Sequence, residues 1–174
     1  MKKVLFIVAN VGFQDHEFSV PYEAVKNAGY EVEIASGWGG KCRGVFMKSI
    51  EDSKKIIEVD PTRYDLLIFV GGGGAYDQYY LDSDYLNLAK SAKAVAAICI
   101  APSLLSDAGI YQKRQVTGRD DGFGTQVAYL QKNWATFLDQ PVVRDANLIT
   151  ANGPEAAEEF AQEILKFLAE NEVS

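Results

Sequence analysis

Residues Val95-Ala96-Ala97-Ile98-Cys99-Ile100-Ala101-Pro102 decide how this chain reads. Four apolar residues without polar alternation predict a strand covered on both faces. Ala101–Ala108, closed by Gly109, predicts a helix directly after it. Cys99 then stands on a strand-to-helix turn, where the backbone is often strained and the side chain is thrown into a cleft. The free N–H groups and partial positive charge of a helix N-terminus favour thiolate over thiol. In such places a thiol pKa falls from about 8.5 to roughly 3.5–7.5. A buried structural cysteine is the plain alternative, and position alone does not choose between them.

Working outward, the same alternation repeats. Apolar runs at Lys3–Ala9, Glu31–Ser36 and Leu66–Val70 predict strands, with weaker candidates at Gln115–Thr117, Val142–Arg144 and Leu148–Thr150. Helical stretches separate them. His16–Ala28 carries Phe18, Tyr22 and Val25 on one stripe and ends at Gly29; Asp84–Ala92 follows. The clearest helix runs from Pro154 to Glu170, with Ala157, Phe160, Ala161, Ile164, Leu165 and Leu168 at helical spacing. Lys41–Ile50 reads as a hairpin punctuated by Gly44. Strands alternating with helices predict an α/β fold with a mostly parallel central sheet and helices on both faces. No repeat or linker interrupts it, so residues 1–174 read as one domain, long enough to bury a core without staples.

Composition removes several functions. Lys and Arg number 17 against 24 Asp and Glu, for a net charge of −7. That sign, with no dense basic run, argues against nucleic acid as a partner. No stretch reaches the roughly 18 apolar residues needed to span a bilayer. Val4–Ala9 reads as a buried strand and not as a signal peptide, because Asn10, Gln14 and Asp15 follow without a cleavage pattern. Two cysteines, Cys42 and Cys99, make no disulfide framework, and the expected address is the cytoplasm.

In open α/β sheets reactive groups collect beyond the carboxyl ends of the strands. Three such ends should converge: Asn10–Glu17, Gly71-Gly72-Gly73-Gly74 and Cys99–Ser103. The glycine run lacks the further residues of a dinucleotide fingerprint or a P-loop. It remains either an oxyanion-binding loop or a permissive turn. Glu17 is either a surface glutamate or a partner of Cys99. Two acids in contact cannot both ionise freely, so a thiolate beside a protonated glutamate would titrate in coupled steps. The only histidine, His16, adjoins Glu17, and adjacent helical residues point in different directions, so it is a poor candidate for a base. His16, Cys42 and Cys99 show no metal-ligand spacing.

Val95–Pro102 is similar to the A-I-C-x-x-P elbow of the ThiJ/PfpI superfamily, particularly its DJ-1-like branch. Other segments agree in order: Glu17 four residues before Pro21, the strand before Gly71-Gly72, Val116-Thr117-Gly118, and Thr150-Ala151-Asn152-Gly153-Pro154 before the closing helix. Cys42-Arg43-Gly44-Val45 resembles a C-x-R-G-V stretch of that branch with one residue missing. The resemblance implies a flavodoxin-like three-layer sandwich, a homodimer, Cys99 as nucleophile with Glu17 as its partner, and an oxyanion site made by the Gly72 and Ile100 amides. It also implies a cofactor-free activity. The candidates are a glyoxalase or deglycase acting on small dicarbonyls or glycated protein, a redox-sensing or chaperone-like stress protein, and a peptidase. Fold membership does not choose among them. Ile100 stands where many members carry a histidine, which weakens the peptidase reading. Arg119 could hold the thiolate or clamp a carboxylate product. Its plainer reading is a surface arginine paired with Asp120 or Asp121.

Overall fold

The computed structural model describes residues 1–170. In chain order its strands are β1 (Lys3–Ile7), β2 (Val11–Phe13), β3 (Glu31–Ser36), β4 (Cys42–Gly44), β5 (Ser49–Ile50), β6 (Lys54–Lys55), β7 (Leu66–Phe69), β8 (Val95–Ile98), β9 (Gln115–Val116), β10 (Thr136–Phe137), β11 (Val142–Asp145) and β12 (Leu148–Ala151). The helices are α1 (Asp15–Asn27), α2 (Gly73–Tyr79), α3 (Ser83–Ser91), α4 (Ala101–Leu104), α5 (Thr125–Lys132) and α6 (Ala157–Glu170).

Seven strands form the central sheet in the order β11-β12-β8-β7-β1-β3-β6. Every pairing is parallel except β11 with β12 at one edge. Side chains on successive strand residues enter opposite layers. Val4 and Phe6 of β1 pack in one core with Phe18 and Val25 of α1 and Phe160 and Ile164 of α6. Leu5 and Ile7 pack in the other with Tyr79 of α2, Leu88 of α3 and Leu130 of α5. Burial on both faces is why these strands lack polar alternation. This is the flavodoxin-like three-layer sandwich.

Several local expectations change. Gln115–Val116 leaves the central sheet and pairs with β10 instead. Val142–Asp145 is a strand, but it runs antiparallel, turned back by Ala146 at φ 51°. The expected helix Ala101–Ala108 is α-helical only to Leu104, then tightens into a 3-10 turn that ends on left-handed Gly109. Gly73 and Gly74, read as loop, open α2. The 41–50 hairpin is present as β4 and β5, with β2 alongside β4.

Candidate active site

The elbow puts Cys99 at φ 65°, in the left-handed region that non-glycine residues avoid. The peptide is pinned on both sides. The Cys99 N–H donates to Ala151 O at 2.9 Å, and its carbonyl accepts from the Arg119 N–H at 2.8 Å. Strain of this kind persists only where the surroundings over-determine it. The sulfur-bearing side chain is 5% exposed, at the floor of a cleft of about 410 Å³.

Glu17 reaches that floor because of how α1 begins. Gln14 caps the helix, its side chain accepting from the N–H groups of His16 and Glu17, and its own N–H donates to Gly71 O at 3.1 Å. This turns Glu17 inward until it is fully buried. One carboxylate oxygen accepts from the Gly71 N–H at 3.1 Å, and the carboxyl group also contacts the Cys99 side chain. Gly71 makes the approach possible. A Cβ there would lie 2.6 Å from Glu17 Oε2 and 2.8 Å from Ile98 O. Gly71→Ala is therefore expected to force the two groups apart and to cost ~1–3 kcal/mol of stability by overpacking, read from urea unfolding.

Burial pushes Glu17 up to about 7, opposed by its contacts with Cys99 and Gly71 and by the charge of Arg119. With Glu17 ionised the thiol is pushed up to about 12, by burial first and by the carboxylate charge second, with Arg119 pulling it down. Across that interval the pair keeps one proton and one negative charge. The helix N-terminus, expected to favour the thiolate, does not outweigh burial. α4 is a single short turn whose dipole is small, and desolvation outweighs it. Any thiolate here is a property of the pair.

Two amides border the same cleft. Gly72, at φ 105°, could not carry a side chain, since a Cβ would meet Gln14 N and Gly12 O at 2.5 Å. Among the described residues no backbone acceptor takes the N–H of Gly72 or of Ile100. Arg119 lines the cleft as well and interacts with the Cys99 thiol. Arg119 is exposed, as a surface arginine would be, but no ion pair joins it to Asp120 or Asp121 among the described residues. His16 points elsewhere: its Nε2 lies 3.4 Å from Glu158 on α6, and the side chain is half exposed. Cys42 is buried against Ser53 and Asn10 and borders a different cleft.

The match to known proteins covers nearly the whole chain. The family model described as "DJ-1/PfpI family" matches residues 2–167. The chain belongs to the DJ-1/PfpI family. A ThiJ/PfpI domain protein from Brachyspira murdochii superposes with a TM-score of 0.88 at 25% identity, covering 97% of this chain and 96% of that one. By sequence, the chain is 31% identical to the deglycase PfpI of Pyrococcus furiosus, over 95% of this chain and 99% of that protein. It is 32% identical to an uncharacterized protein of Methanocaldococcus jannaschii, over 97% and 83% of the two chains.

In this DJ-1/PfpI chain the elbow, the glycine run and the start of α1 therefore meet at one point, as the three strand ends required. Sequence reasoning did not find Gln14, Val45, Phe46 or Pro154, all of which line the cleft. Gln14 was hidden because glutamine is not among the preferred N-caps, so the helix was expected to begin at His16, one residue later than it does. Among the described residues no helix is long and apolar enough to cross a membrane.

Proposed function

We propose that this member of the DJ-1/PfpI family is a cysteine-dependent, cofactor-free enzyme acting on reactive dicarbonyls or their protein adducts. One observation carries the reading: a strained, pinned Cys99 touches a fully buried Glu17 whose pKa is raised to about 7. In the reactive form the negative charge sits on sulfur and the proton on Glu17. The enclosed carboxyl has no solvent to stabilise a charge, whereas the sulfur borders a cleft that also holds Arg119.

The sulfur adds to the aldehyde carbon, forming the C–S bond while the carbonyl π electrons become an alkoxide. The Gly72 and Ile100 amides are the donors for that oxyanion. Glu17 gives it a proton, yielding a hemithioacetal, and as carboxylate then removes the hydrogen from the former aldehyde carbon. Returning that proton to the neighbouring carbonyl carbon oxidises the first carbon and reduces the second, so no external oxidant is consumed. Water cleaves the resulting thioester to a hydroxy acid, lactate in the case of methylglyoxal, and frees Cys99. Deglycation of a protein adduct would use the same groups.

The relative named a deglycase supports the substrate class. Methylglyoxal consumption by wild type, Cys99→Ala and Glu17→Ala is the test. Loss of turnover in both variants is expected. Turnover that survives without Cys99, or a wild-type protein that consumes none, would overturn the reading.

A further inference from the structure

The hairpin that walls the Cys99 cleft is fastened to the helix that carries Glu17. Its tip closes tightly, with the Met47 N–H donating to Gly44 O at 3.1 Å and the Gly44 N–H to Lys48 O at 2.8 Å. The other tip amides bond outside the hairpin. Val45 donates to Phe13 O at 2.8 Å, while Phe46 and Lys48 donate to the two carboxylate oxygens of Asp15 at 2.8 and 2.7 Å. Asp15 lies in the first turn of α1, two residues before Glu17. It fits so closely that a Cβ on Gly44 would lie 2.4 Å from its Oδ2. Met47 is held at φ 73°, a conformation that this fastening maintains.

The fastened segment presents Val45, 51% exposed, and Phe46, 73% exposed. Both line the cleft above Cys99, together with Ile100 and Pro154. A single small aldehyde has no use for this wall. The cleft's 410 Å³ would hold about fourteen waters at roughly 30 Å³ each. That is within the range of pockets that enclose much larger ligands. A three-carbon dicarbonyl on Cys99 leaves most of the space to water, whereas an apolar substituent would displace that water against the Phe46 ring.

We propose that Asp15 is a positioning residue that locks the Val45–Phe46 wall over Cys99, and that this wall selects carbonyl substrates carrying an apolar group, such as arylglyoxals. The inference rests on the Cys99 chemistry proposed above and leaves its steps unchanged. The apolar group is not transformed; it is held.

The test compares phenylglyoxal with methylglyoxal in wild type, Phe46→Ala, Asp15→Ala and Asp15→Asn. Wild type is expected to favour phenylglyoxal in kcat/KM by at least about 10-fold, the scale of one filled apolar subsite. Phe46→Ala should remove most of that preference. Asp15→Ala should do the same through a raised KM for phenylglyoxal, with kcat moved less, and Asp15→Asn, which keeps one acceptor, should fall between. Equal kcat losses on both aldehydes, or an unchanged preference, would overturn the proposal. Alkylation of Cys99 by iodoacetamide and by its N-benzyl analogue separates this inference from the catalytic one. If neither aldehyde turns over, a benzyl preference that falls in Phe46→Ala keeps the wall and discards only the dicarbonyl reading. A rate ratio equal in all proteins discards the wall. Phe46 is exposed, so its variant folds whether or not Asp15→Ala does.

Discussion

Cys99→Ala is expected to lower dicarbonyl turnover by about 10³-fold or more, and Glu17→Gln by roughly 10²–10⁴-fold, in steady-state kinetics at neutral pH. The two losses should not add. The thiol without its carboxyl partner loses its proton acceptor and donor, and the carboxyl without the thiol has nothing to serve. The double variant should therefore be nearly as active as Cys99→Ala alone, which is how residues that act as one unit behave. Additive losses would mean that Glu17 works on the substrate independently of the sulfur.

The same glutamate carries a stability consequence of the opposite sign. In the unfolded chain its carboxyl titrates at the ordinary 4.5, whereas in the fold burial raises it to about 7. Below 4.5 both states hold the proton, and stability carries no penalty. As pH rises from 4.5 to 7 the folded Cys99–Glu17 pair retains a proton that the unfolded chain has released, so stability falls across that interval and is level from 7 until the unfolded thiol ionises near 9. The full fall is about 3 kcal/mol. Glu17→Gln removes the carboxyl that the unfolded chain ionises at 4.5, and with it the difference in bound protons between the two states. Its unfolding free energy, from denaturant titrations at pH 5 and pH 8, should be nearly flat where that of wild type declines. A wild type equally stable at both values would show that the carboxyl is not held protonated by burial. Such a decline is what is expected where function requires a strained or charged site.

How much of this was legible follows from where the constraints lie. β1, β7 and β8 were readable because each is buried on both faces, and short apolar runs without alternation are the mark of such strands. α6 was readable because its buried residues fall on a helical period. β6 was not: it is two exposed lysines at the sheet edge, where charge suits an edge and leaves no hydrophobic signature. α2 was hidden because it opens on Gly73 and Gly74, poor helix formers. It packs so closely that a Cβ on Gly74 would lie 1.7 Å from Val11 O, a contact that no local pattern announces. α5 buries only Leu130, too little for periodicity to show. At the site, the glycine run and the Cys99 turn were visible in the residues, and the meeting of strand ends followed from the fold class. The contact of Glu17 with Cys99 rested on the resemblance, since it depends on Gly71 lacking a side chain, and spacing alone cannot supply that. Arg119 enters the cleft through a bond to the Cys99 carbonyl between residues 20 apart in sequence. Its neighbours Asp120 and Asp121 gave the sequence a nearer and misleading partner.

The central claim is that the pair's single charge rests on sulfur and its proton on Glu17. The rate of Cys99 alkylation by iodoacetamide against pH, in wild type and in Glu17→Gln, tests it most directly. The expected wild-type midpoint lies below the ordinary thiol value of about 8.5, because the proton of the pair stays on the carboxyl. Glu17→Gln should move that midpoint upward, towards or beyond the ordinary thiol value of about 8.5, because a carboxylic acid is a stronger donor to the thiolate than an amide. A midpoint that moves downward in Glu17→Gln would contradict the claim, since it would mean that the substitution had removed a negative carboxylate from beside a neutral thiol.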